Sequence, residues 1–161
     1  MALTVKRLAH QIMETHVPFS DTVIIGIQPR GVLFSDKIVD ELNTLIAPSK
    51  LLYGKLDITF YRDDIRKELH VANKTDILFS IENKNVIIVD DVLYTGRTIR
   101  AALDALLDFG RPKKVELCVL IDRRFSRELP IQPNYTGRAI DTFVSQKVKV
   151  NWGSNEEVVL V

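Results

Sequence analysis

The stretch VIIVDDVLYTGRT, Val86 to Thr98, passes from a fully apolar run into two acids, a loop and the beginning of a helix. The four aliphatic residues Val86 to Val89 predict a strand that is buried on both faces, as in a parallel sheet. Asp90 and Asp91 should lie directly beyond the end of this strand, where side chains project into the ligand crevice of an α/β sheet. The stretch therefore predicts an α/β fold with a polar site at this strand end.

The second half of the same stretch, Thr95 to Thr98, has the composition of a phosphate-binding turn. Backbone amides at a helix N-terminus, two hydroxyls and a glycine that permits close approach can hold a phosphate. The carboxylates of Asp90 and Asp91 can accept hydrogen bonds from ribose hydroxyls, or hold a magnesium ion through its waters. Together these groups predict a site for a ribose 5-phosphate, although a capped helix after an ordinary turn fits the same residues.

The rest of the chain alternates between helical and strand patterns. Apolar spacing predicts helices from Leu3 to Val17, from Val32 to Ile46 and from Arg97 to Phe109, and strands at Val23 to Ile27, Leu52 to Phe60, Val86 to Val89 and Val115 to Ile121. Such alternation is typical of a mostly parallel twisted sheet flanked by helices on both faces. We expect a single domain over residues 1–161 that ends in a small C-terminal hairpin between Lys147 and Val161.

Composition limits the remaining possibilities. The chain has 161 residues, 46% of them hydrophobic, which is enough for one core and too few for two ordinary domains. A net charge of +1 produces no long-range field, so binding to nucleic acid or to a membrane would need a local patch. The single cysteine, Cys118, lies in an apolar run and predicts a small buried side chain in a reducing, cytoplasmic setting. No stretch approaches the length of a membrane span.

The polar stretch from Tyr61 to Ser80 is too long for an ordinary connection. Loops of this length in a compact domain are usually functional, and we interpret this one as a mobile lid. A solvated charged loop would have the same composition. A lid would be useful here if the site promotes a reaction whose transition state must be protected from water.

Further motifs lie before and after the loop, in the order of a known family. They are DITFYRDD at Asp57 to Asp64, AALDALLDFGRP at Ala101 to Pro112, VLIDRR at Val119 to Arg124 and RELPI at Arg127 to Ile131. With the VLYTGRT loop, they make nearly the whole chain resemble the PyrR family of type I phosphoribosyltransferases. The resemblance implies the type I phosphoribosyltransferase fold, and transfer of ribose 5-phosphate from phosphoribosyl pyrophosphate (PRPP) to uracil. The products would be UMP and pyrophosphate, and the cofactor would be Mg2+.

The resemblance also implies a role for each part of the site. The ribose and 5-phosphate of PRPP would be bound by Asp90, Asp91, Val92, Leu93, Tyr94, Thr95, Gly96, Arg97 and Thr98, and the pyrophosphate by the turn of Gln28, Pro29, Arg30 and Gly31. Asp90 and Asp91 would also be catalytic, together with Arg62 and Lys74 of the lid. The base would lie near Asp122 and Arg123, with backbone groups around Val148 contributing. The implied metal has no direct protein ligand, because Asp90 and Asp91 would reach Mg2+ only through PRPP and water.

Members of the PyrR family also bind pyrimidine-operon leader RNA in response to UMP. The residues that the resemblance places on such a surface are Lys6, Arg7, His10, Arg127 and Arg138. Residues 111–138 are locally basic, with seven Lys or Arg against three acids, although a solvated basic face would have the same composition. The chain departs from the family at Arg124-Phe125-Ser126, at Gln132 and at Pro29, which removes an amide from the pyrophosphate turn.

Two other functions fit the same motifs. The chain could be an RNA-binding nucleotide sensor with little catalysis, or a phosphoribosyltransferase for another nucleobase. The resemblance further implies a homo-oligomer, a dimer or higher. We expect a cytoplasmic protein with no membrane association.

Overall fold

Five parallel strands form the central sheet. A computed structural model of the chain describes residues 1–63, 72–153 and 155–161. The strands are β1 (Thr22–Ile27), β2 (Leu52–Leu56), β3 (Asn85–Leu93), β4 (Lys114–Arg124) and β5 (Tyr135–Asp141). Their order across the sheet is β2-β1-β3-β4-β5. The helices are α1 (Ala2–His16), α2 (Arg30–Leu45) and α3 (Arg97–Leu106), with short 3₁₀-helices at Thr59–Tyr61 and Leu107–Phe109. An antiparallel hairpin of β6 (Val148–Asn151) and β7 (Glu157–Leu160) ends the chain.

Each face of the sheet carries its own hydrophobic core. On one face, Ile87 packs with residues of α1 and α2, including Leu8 and Phe34. On the other, Ile88 packs with residues of α3, including Ala102. Because successive side chains of a strand point to opposite faces, a strand with helices on both sides must be apolar at every position. This explains the unbroken aliphatic run from Val86 to Val89 and confirms the predicted α/β class.

Three strand boundaries differ from the sequence-based expectation. The strand expected over Leu52 to Phe60 ends at Leu56, and a 3₁₀-helix follows at Thr59–Tyr61. The strand expected at Val115 to Ile121 continues to Arg124, so Asp122 and Arg123 lie within it rather than after it. The strand expected at Val86 to Val89 continues to Leu93. In each case the strand ends where its backbone pairing with a neighbouring strand ends, and not where the apolar pattern ends.

The edge strand β5 was not predicted from the sequence. Only its first residue, Tyr135, is buried, and the segment that follows is polar. The strand forms because β4 supplies parallel partners along its length, from Cys118↔Tyr135 to Arg124↔Asp141. An edge strand that is open on one side has little need for an apolar pattern, so its sequence carries little signal.

The crevice for a ligand lies where β3 runs past the end of β1. The last pair between these strands is Gly26↔Val89, whereas β4 continues to pair with β3 as far as Leu93. Asp90 and Asp91 are therefore inside β3 and not beyond it, with β4 on one side and the end of β1 on the other. Chain connections leave β1 and β3 in opposite directions, which is the arrangement that binds ligands in open α/β sheets.

Two expectations about single features can also be checked. Cys118 is buried in β4, as expected, and burial raises the pKa of its thiol to about 12. Such a thiol stays protonated and unreactive near neutral pH. Among the residues described, no helix is long and apolar enough to cross a bilayer.

A buried polar cluster joins α1 to the N-terminal edge of the sheet. His16 Nε2 lies 2.6 Å from Glu116 Oε2, and the Tyr135 hydroxyl donates to the same carboxylate at 2.9 Å. Lys114 forms an ion pair with the other oxygen of Glu116, and Thr22 Oγ1 lies 3.1 Å from His16 Nδ1. Burial alone would raise the pKa of Glu116, but the hydrogen bonds from Lys114, His16 and Tyr135 outweigh it and lower that pKa. The cluster therefore stabilises the folded state when Glu116 is ionised.

We predict that Glu116→Gln lowers the free energy of unfolding by about 1–3 kcal/mol at pH 7, since it leaves buried donors without a charged acceptor. Urea denaturation measures the change, with Glu14→Gln on the exposed side of α1 as the control. A carboxyl group whose pKa is lowered by folding stabilises the fold at pH values above its ordinary pKa. That contribution is lost as the pH falls through the lowered pKa. The difference between wild type and variant should therefore disappear in acid. A loss equal to that of Glu14→Gln would contradict the prediction.

Candidate active site

Asp90 and Asp91 form a buried pair of carboxyl groups at the crevice. Their exposed fractions are 7% and 6%, and the amide of Asp91 donates to Asp90 Oδ1 at 2.9 Å. Burial is the main cause that raises the pKa of Asp90 well above its ordinary value, and the charge of Asp91 adds to it. Burial also raises the pKa of Asp91. Two such groups at one strand end need cations or hydrogen-bond donors beside them.

Two arginines from different segments supply positive charge near the pair. The charge of Arg30, in the turn after β1, opposes the rise in the pKa of Asp91. The charge of Arg62, at the start of the predicted lid, does the same for Asp90. Arg62 also lines a cavity of about 280 Å³ together with Asp90. The sequence-predicted residues Arg30, Arg62, Asp90 and Asp91 are thus brought together in space.

The rest of this cavity is formed by the loop between β3 and α3. Its wall consists of Val92, Leu93, Tyr94, Thr95, Gly96, Arg97, Thr98 and Ile99, with Glu128 opposite. Gly96 occupies the N-cap position of α3 with φ of 95°, a left-handed conformation that favours glycine. A side chain at Gly96 would also approach Ile131 Cδ1 to 3.2 Å. The first amides of α3 therefore face a small polar cavity beside two carboxyl groups, which suits a sugar phosphate.

The turn from Thr95 to Thr98, the predicted phosphate cradle, is covered on its outer side by segment 127–131. The amides of Glu128 and Leu129 donate to the carbonyl of Thr95 at 3.0 and 3.3 Å. The Glu128 carboxylate accepts from Arg97 Nε at 2.7 Å, and Asp63 Oδ2 lies 3.2 Å from Arg97 Nη1. The side chain of Arg97 is thus already paired with two acids. Backbone amides and hydroxyls are the groups that remain to hold a phosphate.

The turn from Gln28 to Gly31 fits against the same carboxyl pair. A Cβ at Gly31 would lie 2.7 Å from the carbonyl oxygen of Val89 and 3.0 Å from Asp90 Oδ1. Only glycine lets α2 begin this close to β3. Arg30, beside it, also lines a second cavity of about 550 Å³ whose other wall is residues 149–153 of the hairpin region. Arg30 of this turn therefore lies near the carboxyl pair and also lines the second cavity, which is large enough for a charged group such as a phosphate.

The predicted lid is only partly described. Residues 64–71 of the stretch from Tyr61 to Ser80 lie outside the described residues. Lys74, on the returning side, is exposed, and its carbonyl accepts a hydrogen bond from Gln28 Nε2. The backbone of Asp76 exchanges two hydrogen bonds with that of Lys55. The returning side thus runs past the turn after β1.

Of the three base-site candidates, Asp122 and Arg123 contact residues close to the cavity of Asp90, and Val148 does not. The guanidinium of Arg123 lies 3.8 Å from the centre of the Tyr94 ring and donates to Thr142 Oγ1 at 3.0 Å. Asp122 forms an ion pair with Arg127. Val148 instead lines a cavity on the α1 side, with Arg138. Asp122 and Arg123 therefore lie near the loop between β3 and α3, whereas Val148 lies at a separate cavity.

The RNA candidates also divide into two groups. Lys6 and His10 are exposed on α1, and Arg138 is exposed on the neighbouring strand β5. Arg7 connects these elements by donating to the carbonyl oxygens of Thr136 and Gly137 at 3.2 and 2.7 Å.

Arg127 lies elsewhere, half-buried at the end of β4. It donates to the carbonyl oxygens of Ile131 and Arg123 at 3.0 and 3.1 Å, and also to that of Tyr94. Its guanidinium therefore braces the cradle. Four of the five predicted RNA residues share the α1–β5 face, and Arg127 does not.

Comparison with known proteins assigns the family. A phosphoribosyl transferase domain family matches residues 1–154. The protein named Bifunctional protein PyrR from Picosynechococcus sp. is 46% identical over 151 residues, which cover 93% of this chain and 84% of the relative. The chain belongs to the PyrR family. Another member with the same name, from Desulfosudis oleivorans, is 49% identical over 149 residues, which cover 89% of this chain and 80% of the relative.

Solved structures agree with this membership at the level of the fold. A hypoxanthine-guanine phosphoribosyltransferase from Bacillus anthracis has a TM-score of 0.65 at 21% identity, over 86% of this chain and 76% of its own. A hypoxanthine phosphoribosyltransferase from Staphylococcus aureus has a TM-score of 0.66 at 23% identity, over 89% of this chain and 77% of its own. The type I phosphoribosyltransferase fold implied by the PyrR resemblance is therefore confirmed.

Sequence reasoning missed two acids of this PyrR-family site. Glu128 and Asp63 both pair with Arg97 at the cradle, from segments that are distant in sequence. Both residues stand inside motifs that the resemblance used, RELPI and DITFYRDD. The motifs could have drawn attention to them, but their shared partner is visible only in the fold.

We predict that replacing Asp90 and Asp91 by Asn abolishes PRPP binding without unfolding the chain. Each lost charge-assisted hydrogen bond should cost about 1.5–3 kcal/mol of binding free energy, or roughly 10- to 100-fold in affinity. Titration calorimetry with PRPP and Mg2+ measures the loss. Retained affinity would overturn the assignment of the site.

The same variants should be at least as resistant to heat as the wild type near pH 8. A carboxyl whose pKa is raised in the folded state makes the fold less stable as the pH rises through that pKa. Removing the charge removes this effect, so the gain in melting temperature should shrink as the pH is lowered. Thermal melts of both proteins across a pH series measure it.

Proposed function

We propose that this PyrR-family protein transfers ribose 5-phosphate from PRPP to uracil and releases UMP and pyrophosphate. The observation that supports the proposal most directly is the buried pair of Asp90 and Asp91 beside the N-terminus of α3. Carboxylates and a phosphate cradle at this spacing match the two ends of a ribose 5-phosphate. Membership of a phosphoribosyl transferase domain family supplies the reaction class.

In this mechanism the ribose hydroxyls donate to Asp90 and Asp91 while the first amides of α3 hold the 5-phosphate. The bond from ribose C1 to pyrophosphate breaks as N1 of uracil forms a bond to C1 and releases its proton to the pyrophosphate or to water. Negative charge grows on the leaving group as its bond to C1 breaks. The charges of Arg30 and Arg62 act on the carboxyl pair, and both arginines would stabilise the leaving group. The ribose ring becomes positively charged in the transition state. That charge favours ionisation of the two carboxyl groups, whose negative charge in turn stabilises the ring.

Magnesium fits this site as a partner of the substrate. Within the described parts of the chain, no cluster of three or more His, Cys, Asp or Glu side chains is arranged to hold a metal ion. Asp90 and Asp91 provide oxygen atoms of the kind that bind the waters of Mg2+. Bound with PRPP, the ion would neutralise charge on the pyrophosphate.

The base is proposed to lie near the stacked pair of Arg123 and Tyr94. Arg123 has an exposed fraction of 5% and donates to the carbonyl of Gln146 at 2.9 Å, which fixes the loop between β5 and β6. Asp122 is held by Arg127 at the same strand end. These contacts would set the shape of the base pocket, and backbone groups of the loop would face the edge of a pyrimidine.

Turnover of uracil, hypoxanthine, guanine and orotate with PRPP, measured side by side, tests the proposal. We expect UMP formation from uracil and little reaction with the other three. Faster turnover of another base would identify a different phosphoribosyltransferase. If no base reacted while UMP still bound, the protein would instead be a nucleotide sensor.

RNA binding is a second proposed function, on the face formed by α1 and β5. Lys6, His10 and Arg138 are exposed there, and Arg7 holds the two elements together. The relatives are named as bifunctional proteins, which agrees with a role besides transfer. Basic side chains on one face would contact phosphates, with affinity that falls as salt rises.

We predict that Lys6→Gln combined with Arg138→Gln weakens binding to a pyrimidine-operon leader RNA in the presence of UMP by roughly 5- to 50-fold, and reduces its salt dependence. Gel-shift titrations at two salt concentrations measure both effects. Lys50→Gln, at an exposed lysine after α2, is the matched control. Binding no tighter than to an unrelated RNA would remove the proposal, and so would equal losses in the two variants.

Two expectations about the whole protein remain proposals. We propose a cytoplasmic location, consistent with the unreactive buried Cys118. We also propose a homo-oligomer, a dimer or higher, for which the exposed apolar residues Phe143 and Val144 offer contact surface. Sedimentation velocity measures the second property directly.

A further inference from the structure

Two short segments lead from the sheet into the predicted lid, and each of them carries one of the proposed catalytic residues. The outgoing stem, residues 57–63, follows β2 and carries Arg62, while the returning stem, residues 72–76, carries Lys74. Arg62 and Lys74 can act on one substrate only if the two stems keep a fixed separation. The side chain of Asp57, on the outgoing stem, contacts both stems.

The Asp57 carboxylate accepts hydrogen bonds from each stem. Its Oδ1 accepts from the amide and the hydroxyl of Thr59 at 2.7 and 2.6 Å, and its Oδ2 accepts from the amide of Asn73. The amide of Asp57 donates to Thr75 Oγ1 at 3.0 Å, which adds a second connection to the returning stem. Every group that faces the carboxylate in these contacts is a donor, so both oxygens must act as acceptors.

Further contacts attach the stems to the two sides of the active site. On the outgoing stem, Asp63 Oδ2 lies 3.2 Å from Arg97 Nη1 and 3.1 Å from Arg100 Nη2, at the beginning of α3. The Tyr61 hydroxyl donates to Asp108 at the other end of that helix. On the returning stem, the carbonyl of Lys74 accepts from Gln28 in the turn after β1. The outgoing stem thus follows the phosphate cradle, and the returning stem follows the pyrophosphate turn.

We propose that Asp57 is a positioning residue for the transfer reaction. By holding the two stems together, it sets Arg62 against Asp90 in the cavity and Lys74 against the turn that contains Arg30. Asp57 itself does not line the cavity of Asp90, so it acts through the stems and not on the substrate. The inference rests on the proposed transfer of ribose 5-phosphate, and it assigns to Asp57 the placement of the two lid residues over PRPP.

Asp57→Asn tests this role with little change in volume. An amide offers one acceptor oxygen and turns an NH2 group towards either Thr59 or Asn73, both of which are donors. We expect kcat/KM for PRPP to fall roughly 10- to 100-fold, the cost of losing a hydrogen bond to a charged group. KM for uracil and the melting temperature should stay near their wild-type values, because the base site and the cores are untouched.

Asp76→Asn is the matched control, because Asp76 is an exposed acid on the same returning stem whose contacts with Lys55 are made by its backbone. This variant should keep wild-type kinetics. Wild-type kinetics in Asp57→Asn would overturn the proposal. An equal loss in both variants would do the same, as would a loss of activity that only follows a fall in melting temperature.

Hydrogen exchange supplies a readout that does not depend on turnover. The amides of Thr59 and Asn73 should exchange faster in Asp57→Asn than in the wild type, and they should be unchanged in Asp76→Asn. If the wild-type protein transferred no base, the proposed function would fail, yet exchange and PRPP affinity would still decide the role of Asp57. Unchanged protection at both amides, or unchanged PRPP affinity, would overturn it.

Discussion

Burial of two adjacent carboxyl groups, Asp90 and Asp91, where β3 runs past the end of β1 is the constraint on which the rest of the site depends. Such a pair resists ionisation, and the pKa of each group is raised by burial. The positive charges of Arg30 and Arg62 oppose this rise in pKa, Arg30 at Asp91 and Arg62 at Asp90. It also requires glycine at position 31, because a side chain there would collide with the backbone of β3. Turn, strand and lid stem are therefore fitted to one another around these two acids.

The phosphate cradle is also held by a small number of specific contacts. Gly96 gives α3 its sharp beginning, and segment 127–131 then covers the loop from outside. Arg127, which sequence reasoning placed on an RNA surface, is directed inward and joins the loop to the end of β4. Arg97, a proposed phosphate ligand, is paired with Glu128 and Asp63. The side chain of Arg97 is thus paired with acids, which leaves the backbone amides of the loop as the groups proposed to bind the anion.

The proposed transfer site and the proposed RNA-binding site lie on different faces of the molecule. The proposed transfer site is built at the C-terminal ends of β1, β3 and β4, whereas the exposed basic residues lie along α1 and β5. At the N-terminal edge, the buried cluster of His16 and Glu116 fixes α1 to the sheet. Changes on the α1–β5 face should therefore affect RNA affinity without altering the carboxyl pair.

The sequence by itself determined the α/β class, the three helices and the location of the site, because a run such as Val86 to Val89 has one physical explanation and the residues after it are local to it. The length of β3, the edge strand β5 and the meeting of Asp63 with Glu128 at Arg97 were decided only by tertiary structure. Each depends on contacts with another segment of the chain, which is 31 residues away in the case of Arg97 and Glu128. Pairing between distant segments leaves no periodic signal in either one, so only the packed fold could show that Asp57 joins both lid stems.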